Sequence, residues 1–262
     1  EFYNKASTDV ILQTQLPQYN GFPSYFANVA KINNHGIEFQ VKATVVDGAR
    51  FSYTTDFNIA RNYNKVVDIG PFTEEAVSGG TNDTRVVEGQ PVGTNFLVRF
   101  SHIDKQTGKP VYLDKNGNET YTWDPANRVP VGNIYPKAVG GWNNTIKYNR
   151  WELNLNFVYR IGGKIYDSSS KRQLGTYDAD NWNHRLDQFD RWQKPGDDAT
   201  YPVLTRLPAT YGSATPWINT DLWLKDASYF RLRNLSLYYN FQESTLKKLK
   251  ISSARVGVVC TN

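Results

Sequence analysis

From Ile37 the chain alternates strictly. Ile37, Phe39, Val41, Ala43 and Val45 are apolar, with Glu38, Gln40, Lys42 and Thr44 between them. The alternation returns at Phe51, Tyr53, Phe57 and Ile59, set against Ser52, Thr54, Asp56 and Asn58. A period of two means strands with one apolar and one polar face. Between the runs, Val46-Asp47-Gly48-Ala49-Arg50 reads as a hairpin turn. A two-residue Asp-Gly turn would set odd positions against even ones and mix the faces. A three-residue loop, Asp47-Gly48-Ala49, pairs Val46 with Arg50 and Val45 with Phe51, so apolar meets apolar.

A second hairpin is as clear. Trp142, Ile146 and Tyr148 are apolar at even positions, and Trp151, Leu153, Leu155, Phe157, Tyr159 and Ile161 at odd ones. That switch of parity requires an even loop, which Asn149-Arg150 supplies, and Tyr148 then faces Trp151. Further strands are expected over 1–12, 85–88 and 94–102 (a pair around Gly89–Gly93), 228–241 and 251–261. This makes about nine strand candidates. Connections are tight at Asp47–Ala49, near Pro91 and at Asn149-Arg150, and long over 63–83, 103–131 and 162–227. Tight and long connections alternate, as they do in an outer-membrane barrel with short turns at one rim.

Each alternating run is about ten residues, the length a tilted strand needs to cross a bilayer. Parity then assigns the faces. Ile37, Phe39, Val41, Phe51, Tyr53, Phe57, Leu153, Leu155 and Phe157 are expected to face lipid, and Glu38, Gln40, Lys42, Asp56, Glu152 and Asn154 the lumen. Arg231 and Arg233 share parity with Leu235, Leu237 and Tyr239, so they too are expected to point outward, above the apolar band and among lipid phosphates.

Composition narrows the class. Aromatics make up 14% of the 262 residues while the chain is polar overall, as suits a wet interior with aromatic girdles. No run is long enough for a transmembrane helix. The single cysteine, Cys260, rules out an internal disulfide and is expected on the apolar face with Val256 and Val258. Without an initiator Met or a signal peptide, the chain is expected to be processed or a fragment. The net charge of +5 is scattered, so no nucleic-acid partner is expected.

Little in the chain points to catalysis. His35, His102 and His184 lack metal-ligand spacing, and no cofactor motif or H-E-x-x-H pattern is present. The oxygen residues of Asp114–Asn118 resemble a calcium loop, but the required Gly and bidentate Glu are missing, and a β-turn is the expected form. The acid pairs Asp187/Asp190 and Asp197/Asp198 fit chance proximity better than glycoside hydrolysis. No catalytic or metal site is expected. The long segment 162–227 carries Trp182, Trp192, Trp217 and Trp223, whose flat faces suit stacking on a sugar or packing on a partner. A soluble carbohydrate-binding or hydrolytic β-domain is the alternative reading of these features.

Several stretches carry a family resemblance. Asn34-His35-Gly36-Ile37-Glu38 resembles the N…G-x-E strand of TonB-dependent receptors. Glu88-Gly89-Gln90-Pro91-Val92-Gly93, then Asp124-Pro125 with Gly132, Pro136 and Gly140, and the loop Trp192-Gln193-Lys194-Pro195 resemble segments of the SusC/RagA family. Ser228-Tyr229-Phe230-Arg231-Leu232-Arg233-Asn234 through Tyr239 is very similar to that family's SY-x-RL-[KR]-N strand. The resemblance implies an all-β fold: a transmembrane antiparallel barrel of about 22 strands, with long extracellular loops. Residues 1–262 would be its C-terminal part, without plug, N-terminal region or closing strands. It further implies TonB-dependent uptake of glycans or oligopeptides across the outer membrane of Bacteroidetes, with TonB acting through the plug. A SusD-like surface lipoprotein would be the lid. The length, prolines and tryptophans of the loop 162–226 suit contact with lid, ligand or both, with lid contact expected as its main role.

Overall fold

The computed structural model describes every residue except 16–23, 73–83, 175–182, 184, 206, 213–218 and 249. Among the described residues, seven antiparallel strands form one large sheet in which sequence neighbours are spatial neighbours. They are β1 (Phe2–Gln15), β2 (Ser24–Asp47), β3 (Phe51–Asp68), β4 (Ala138–Tyr148), β5 (Trp151–Ile161), β6 (Tyr229–Asn240) and β7 (Arg255–Thr261). The chain is thus all-β with the antiparallel strands of a barrel wall. No helix of the described residues is long and apolar enough to cross a membrane.

The register carries each face unbroken across the sheet. One row runs Val41, Phe57, Trp142, Phe157, Leu232, and a lower one Val46, Tyr53, Ile146, Leu153, Leu237, Val258. Alternate rows are polar, as in Lys42, Asp56, Asn143, Asn156, Asn234, Thr261. The apolar rows are not covered by the chain: Phe39 is 56% exposed and Val258 65%. Exposed apolar rows this regular are what a hydrocarbon solvent selects, whereas a soluble sheet would bury them.

The tight-turn end bears an aromatic rim. Tyr148 pairs with Trp151 across Asn149-Arg150, as the parity switch requires, and Asn149 adopts the left-handed φ of 53° such a turn demands. Trp151 lies edge-on to Tyr239 at 5.0 Å, and Tyr239 to Phe241 at 5.4 Å. Aromatic rings with polar tips concentrate where bilayer meets water. Two glycines let rings lie flat on the sheet. A Cβ on Gly140 would meet the Tyr159 ring at 2.6 Å, and one on Gly257 the Tyr238 ring at 2.3 Å.

Two polar residues, Thr55 and Asn144, sit side by side in an apolar row, with Asn144 opposite Leu155. Asn144 is 5% exposed, and its Oδ1 accepts from the Tyr53 hydroxyl (2.7 Å) and the Thr55 hydroxyl (3.1 Å). Trp142 Nε1 donates to the same Thr55 hydroxyl at 2.8 Å. A polar group at membrane depth needs such partners.

Four expectations need correction. The first hairpin closes over the two residues Ala49-Arg50, with the Gly48 amide donating to Phe51 O at 3.0 Å, Asp47 opposite Ser52 and Val46 opposite Tyr53. A bulge at Val45 then restores the odd-with-odd ladder, since one extra residue shifts parity back. Thr94–His102 is no part of the large sheet. Its residues fall in two short strands, Thr94–Leu97 and Arg99–Ile103, in separate three-stranded sheets. The large sheet therefore holds seven of the about nine expected strands, and the bend near Pro91 lies inside one long connection, 69–137. The physical reason is length: five residues cannot span what eleven do in β4 and β5.

Arg231 is the fourth. A register shift between Asn156 and Phe157 on β5 puts Leu232 opposite Phe157 and Arg231 opposite Val158. Arg231 therefore shares the polar face with Tyr229, over whose ring its guanidinium lies at 5.1 Å. The outward placement of Arg231 was wrong because the strand contains a bulge at Arg233.

Candidate functional site

Two regions carry chemistry: the polar face of the sheet and a folded body built from both long connections. On the polar face, Gln40 Nε2 donates to Asp56 Oδ1 at 3.0 Å, and Lys42 stands opposite Asp56 in the ladder. Asn154 receives the Thr145 hydroxyl at 2.9 Å and donates to Glu152 Oε1 at 3.1 Å and to Ser236 Oγ at 3.4 Å. Glu152 also faces the Lys147 ammonium at 3.6 Å. Asn156 donates to Asn143. Glu38 lies one row above Gln40, opposite Ala60. The six polar residues read from parity thus share one face, on which Gln40 bonds Asp56 across the strands and Asn154 bonds Glu152, Thr145 and Ser236. Such a surface is strongly hydrated and presents donors and acceptors together. Arg231 and Tyr229 belong to the same face and were missed. Their signal was present in the sequence, because Phe230 and Leu232 are apolar at even positions while Leu235 and Leu237 are apolar at odd ones.

The second region is one body made from segments far apart in sequence. Its core is Val98, Tyr112, Tyr211 and Trp223, with Phe100, Trp123, Tyr166, Tyr201 and Leu222 against it. Val98 bridges Thr220, and the Asp221 amide donates to Val98 O at 3.2 Å. Asp221 Oδ1 in turn accepts the Phe100 amide at 2.7 Å. Burial pushes the Asp221 carboxyl above its ordinary range, against the opposing pull of that amide. The Tyr112 hydroxyl donates to Tyr211 O at 2.8 Å, and burial drives the Tyr112 phenol well above its ordinary value. Near the surface, Asp104 accepts the Tyr121 hydroxyl at 2.6 Å and the Gln106 amide at 2.7 Å, and these bonds hold its carboxyl down at about 2.

The four tryptophans fare differently. Trp182 and Trp217 lie outside the described residues. Trp192 packs over Gly108, where a Cβ would stand 2.4 Å from its ring, and its Nε1 donates to Lys105 O at 2.9 Å. Trp223 is only 1% exposed and stacks on Tyr201 with rings 6.0 Å apart, so it serves the core and offers no face to a ligand. This corrects its expected binding role, since an aromatic ring in a long loop is as useful for holding the loop together. Instead the body exposes Leu186 (81%) and Phe189 (69%), both on the short 3-10 helix Leu186–Asp190. Three residues apart, they fall on one side of that helix.

The other candidates resolve as structure. Asp114 accepts the amides of Asn116 (2.8 Å) and Asn118 (2.9 Å), making a turn between two short strands. Asp197 accepts the Gln193 and Lys194 amides, and Asp187 pairs with Arg185 at 2.7 Å. Among the described residues no three His, Cys, Asp or Glu side chains are grouped to hold a metal. Cys260 stands opposite Leu235 in an apolar row with Val256 and Val258 on its strand, as expected. His184 lies outside the described residues.

No family model matches the chain. It is 25% identical over 279 residues to TonB-dependent receptor P3 of Formosa agariphila, covering 98% of this chain and 26% of that protein. It is 22% identical over 260 residues to TonB-dependent receptor SusC of Bacteroides thetaiotaomicron, covering 92% of this chain and 24% of that protein. The chain thus spans about a quarter of the length of these curated relatives. In fold it is similar over its whole length to the RagAB peptide transporter, with a TM-score of 0.83 and 19% identity, covering 29% of that chain. Against the same importer in its open-open state the TM-score is 0.72, at 17% identity and 29% of that chain. The matched proteins are named as receptors and transporters, and in sequence and fold this chain is similar to a stretch of SusC/RagA-like TonB-dependent transporter barrel.

Proposed function

We propose that residues 1–262 form a C-terminal part of the wall and mouth of an outer-membrane importer. The observation that carries this reading is the two-faced sheet, apolar rows exposed on one side and hydrogen-bonded polar rows on the other. The apolar side contacts lipid. The polar side, with Glu38, Gln40, Lys42, Asp56, Glu152 and Asn154, lines the passage and has no catalytic duty. Uptake is energised through TonB, acting on a plug. The imported nutrient is a glycan or an oligopeptide, both of which the amide- and carboxylate-rich face suits through hydrogen bonding.

The loop body serves a SusD-like surface lipoprotein acting as a lid. Exposed Leu186 and Phe189 on a braced scaffold suit a partner surface, with Trp192 beside them in sequence. Replacing both with Ser in the full-length importer is expected to abolish co-purification of the lipoprotein while the barrel stays inserted. Retained co-purification would overturn the partner role.

The import reading is tested by single cysteines in a Cys260→Ala background. At Gln40 and Asn156, a membrane-impermeant thiol reagent should react and block uptake of a fluorescent oligosaccharide or peptide. At Val41 and Phe157 it should not react. Reaction at the apolar positions alone would reverse the faces.

A further inference from the structure

Above the apolar band, the outward face of β3 changes character. Phe57 and Ile59 are followed on the same side by Arg61, Tyr63 and Lys65, opposite Ile37, His35 and Asn33 of β2. His35 stacks on Tyr63 with rings 5.0 Å apart and 11° between planes, and the Arg61 guanidinium lies 4.4 Å from the Tyr63 centroid. Ring stacking holds the guanidinium in place and leaves its fork of donors open. No carboxylate pairs with Arg61 or Lys65 among the described residues. Lys137 stands at the entrance to β4, close enough to Asp226 for their charges to interact.

Between these cations and the apolar band is a depression of about 330 Å³, lined by Ile37, Phe39, Ile59, Arg61, Lys137 and Ala138. It opens where Ala138, opposite Ile161, offers only a methyl group beside the longer lining side chains of Ile37, Phe39, Ile59 and Arg61. The floor is apolar and its upper edge is cationic.

We propose that this depression is a binding site for an outer-leaflet lipid with a phosphorylated headgroup. An acyl chain lies on Ile37, Phe39 and Ile59, and Arg61 and Lys137 take the phosphate. The charge complementarity is specific in direction: the cations stand where strand leaves bilayer, on the long-loop side, at the level of lipid phosphates. Arg61 supplies two parallel donors to phosphate oxygens, and Lys137 a point charge. The site replaces the one expected at Arg231, which faces the other way. It rests on the membrane reading above.

The test uses the full-length importer purified in detergent, with bound lipid read by native mass spectrometry. The probes are monophosphorylated lipid A, the same lipid dephosphorylated, and inorganic phosphate in excess as competitor. The wild type is expected to retain the phosphorylated lipid about tenfold better, the effect of one charge-assisted hydrogen bond. Arg61→Gln with Lys137→Gln should lower it to the level of the dephosphorylated lipid, and inorganic phosphate should fail to displace it. Equal retention of the two lipids by the wild type, an unaffected variant, or displacement by phosphate alone would overturn the site. Should the double variant not insert, the wild-type comparison decides alone. A full-length protein that stays in buffer without detergent would instead overturn the membrane reading.

Discussion

Two carboxylates in the loop body answer pH in opposite senses. Asp104 is held low, so its bonds to Tyr121, Gln106 and Thr107 stabilise the fold above the ordinary carboxylate range. That contribution disappears as pH falls through about 2. Asp221 is held high by burial, so its favourable contribution exists below the ordinary carboxylate range and is lost as pH rises through the raised value. Asp221→Asn keeps an acceptor for the Phe100 amide and removes the charge. It is expected to slow exchange of the Phe100 amide at pH 8 relative to wild type and to leave exchange protection unchanged at pH 3. A gain in protection from this substitution that is larger at pH 3 than at pH 8 would contradict the sign. Trp223 has a purely structural part to play. Trp223→Ala should destabilise the loop body by about 3–5 kcal/mol, seen as faster proteolysis within 94–123 while the sheet persists.

Individual elements were legible where local rules operate alone. The Asn149-Arg150 turn followed from a parity switch and an even loop, and Tyr148 indeed faces Trp151. Replacing Asn149 with Val should cost about 1–2 kcal/mol, because a β-branched residue resists the left-handed conformation, and Asn149→Gly should cost less. Thermal unfolding in detergent measures both. Strand faces were legible too, since period two survives any choice of partner. What escaped were the bulges at Val45 and Arg233, each a single residue that reverses parity partway along a strand. Both left a trace, adjacent apolar residues at Val45-Val46 and the shift from even to odd after Leu232. Strict alternation treated them as noise. The short strands at 94–103 escaped because their alternation is real and only their length excludes them from the membrane.

At the scale of the molecule, the sequence shows three long connections, of which the structure merges the first two into 69–137, and the sequence says nothing of their joining. That depends on contacts such as Tyr112 to Tyr211 and Trp123 Nε1 to Asn219 O, about a hundred residues apart along the chain. The joining has a consequence for how such a mouth is altered. Phe100 has its amide satisfied by a residue of the other connection, and Tyr112 its hydroxyl. Transplanting 162–227 alone from a relative of different cargo would strip those partners and leave buried polar groups bare. A transplant of 69–137 and 162–227 together carries its own counterparts. The two connections therefore fold as a pair, and a graft of one half is expected to leave the large sheet intact with a protease-sensitive loop body.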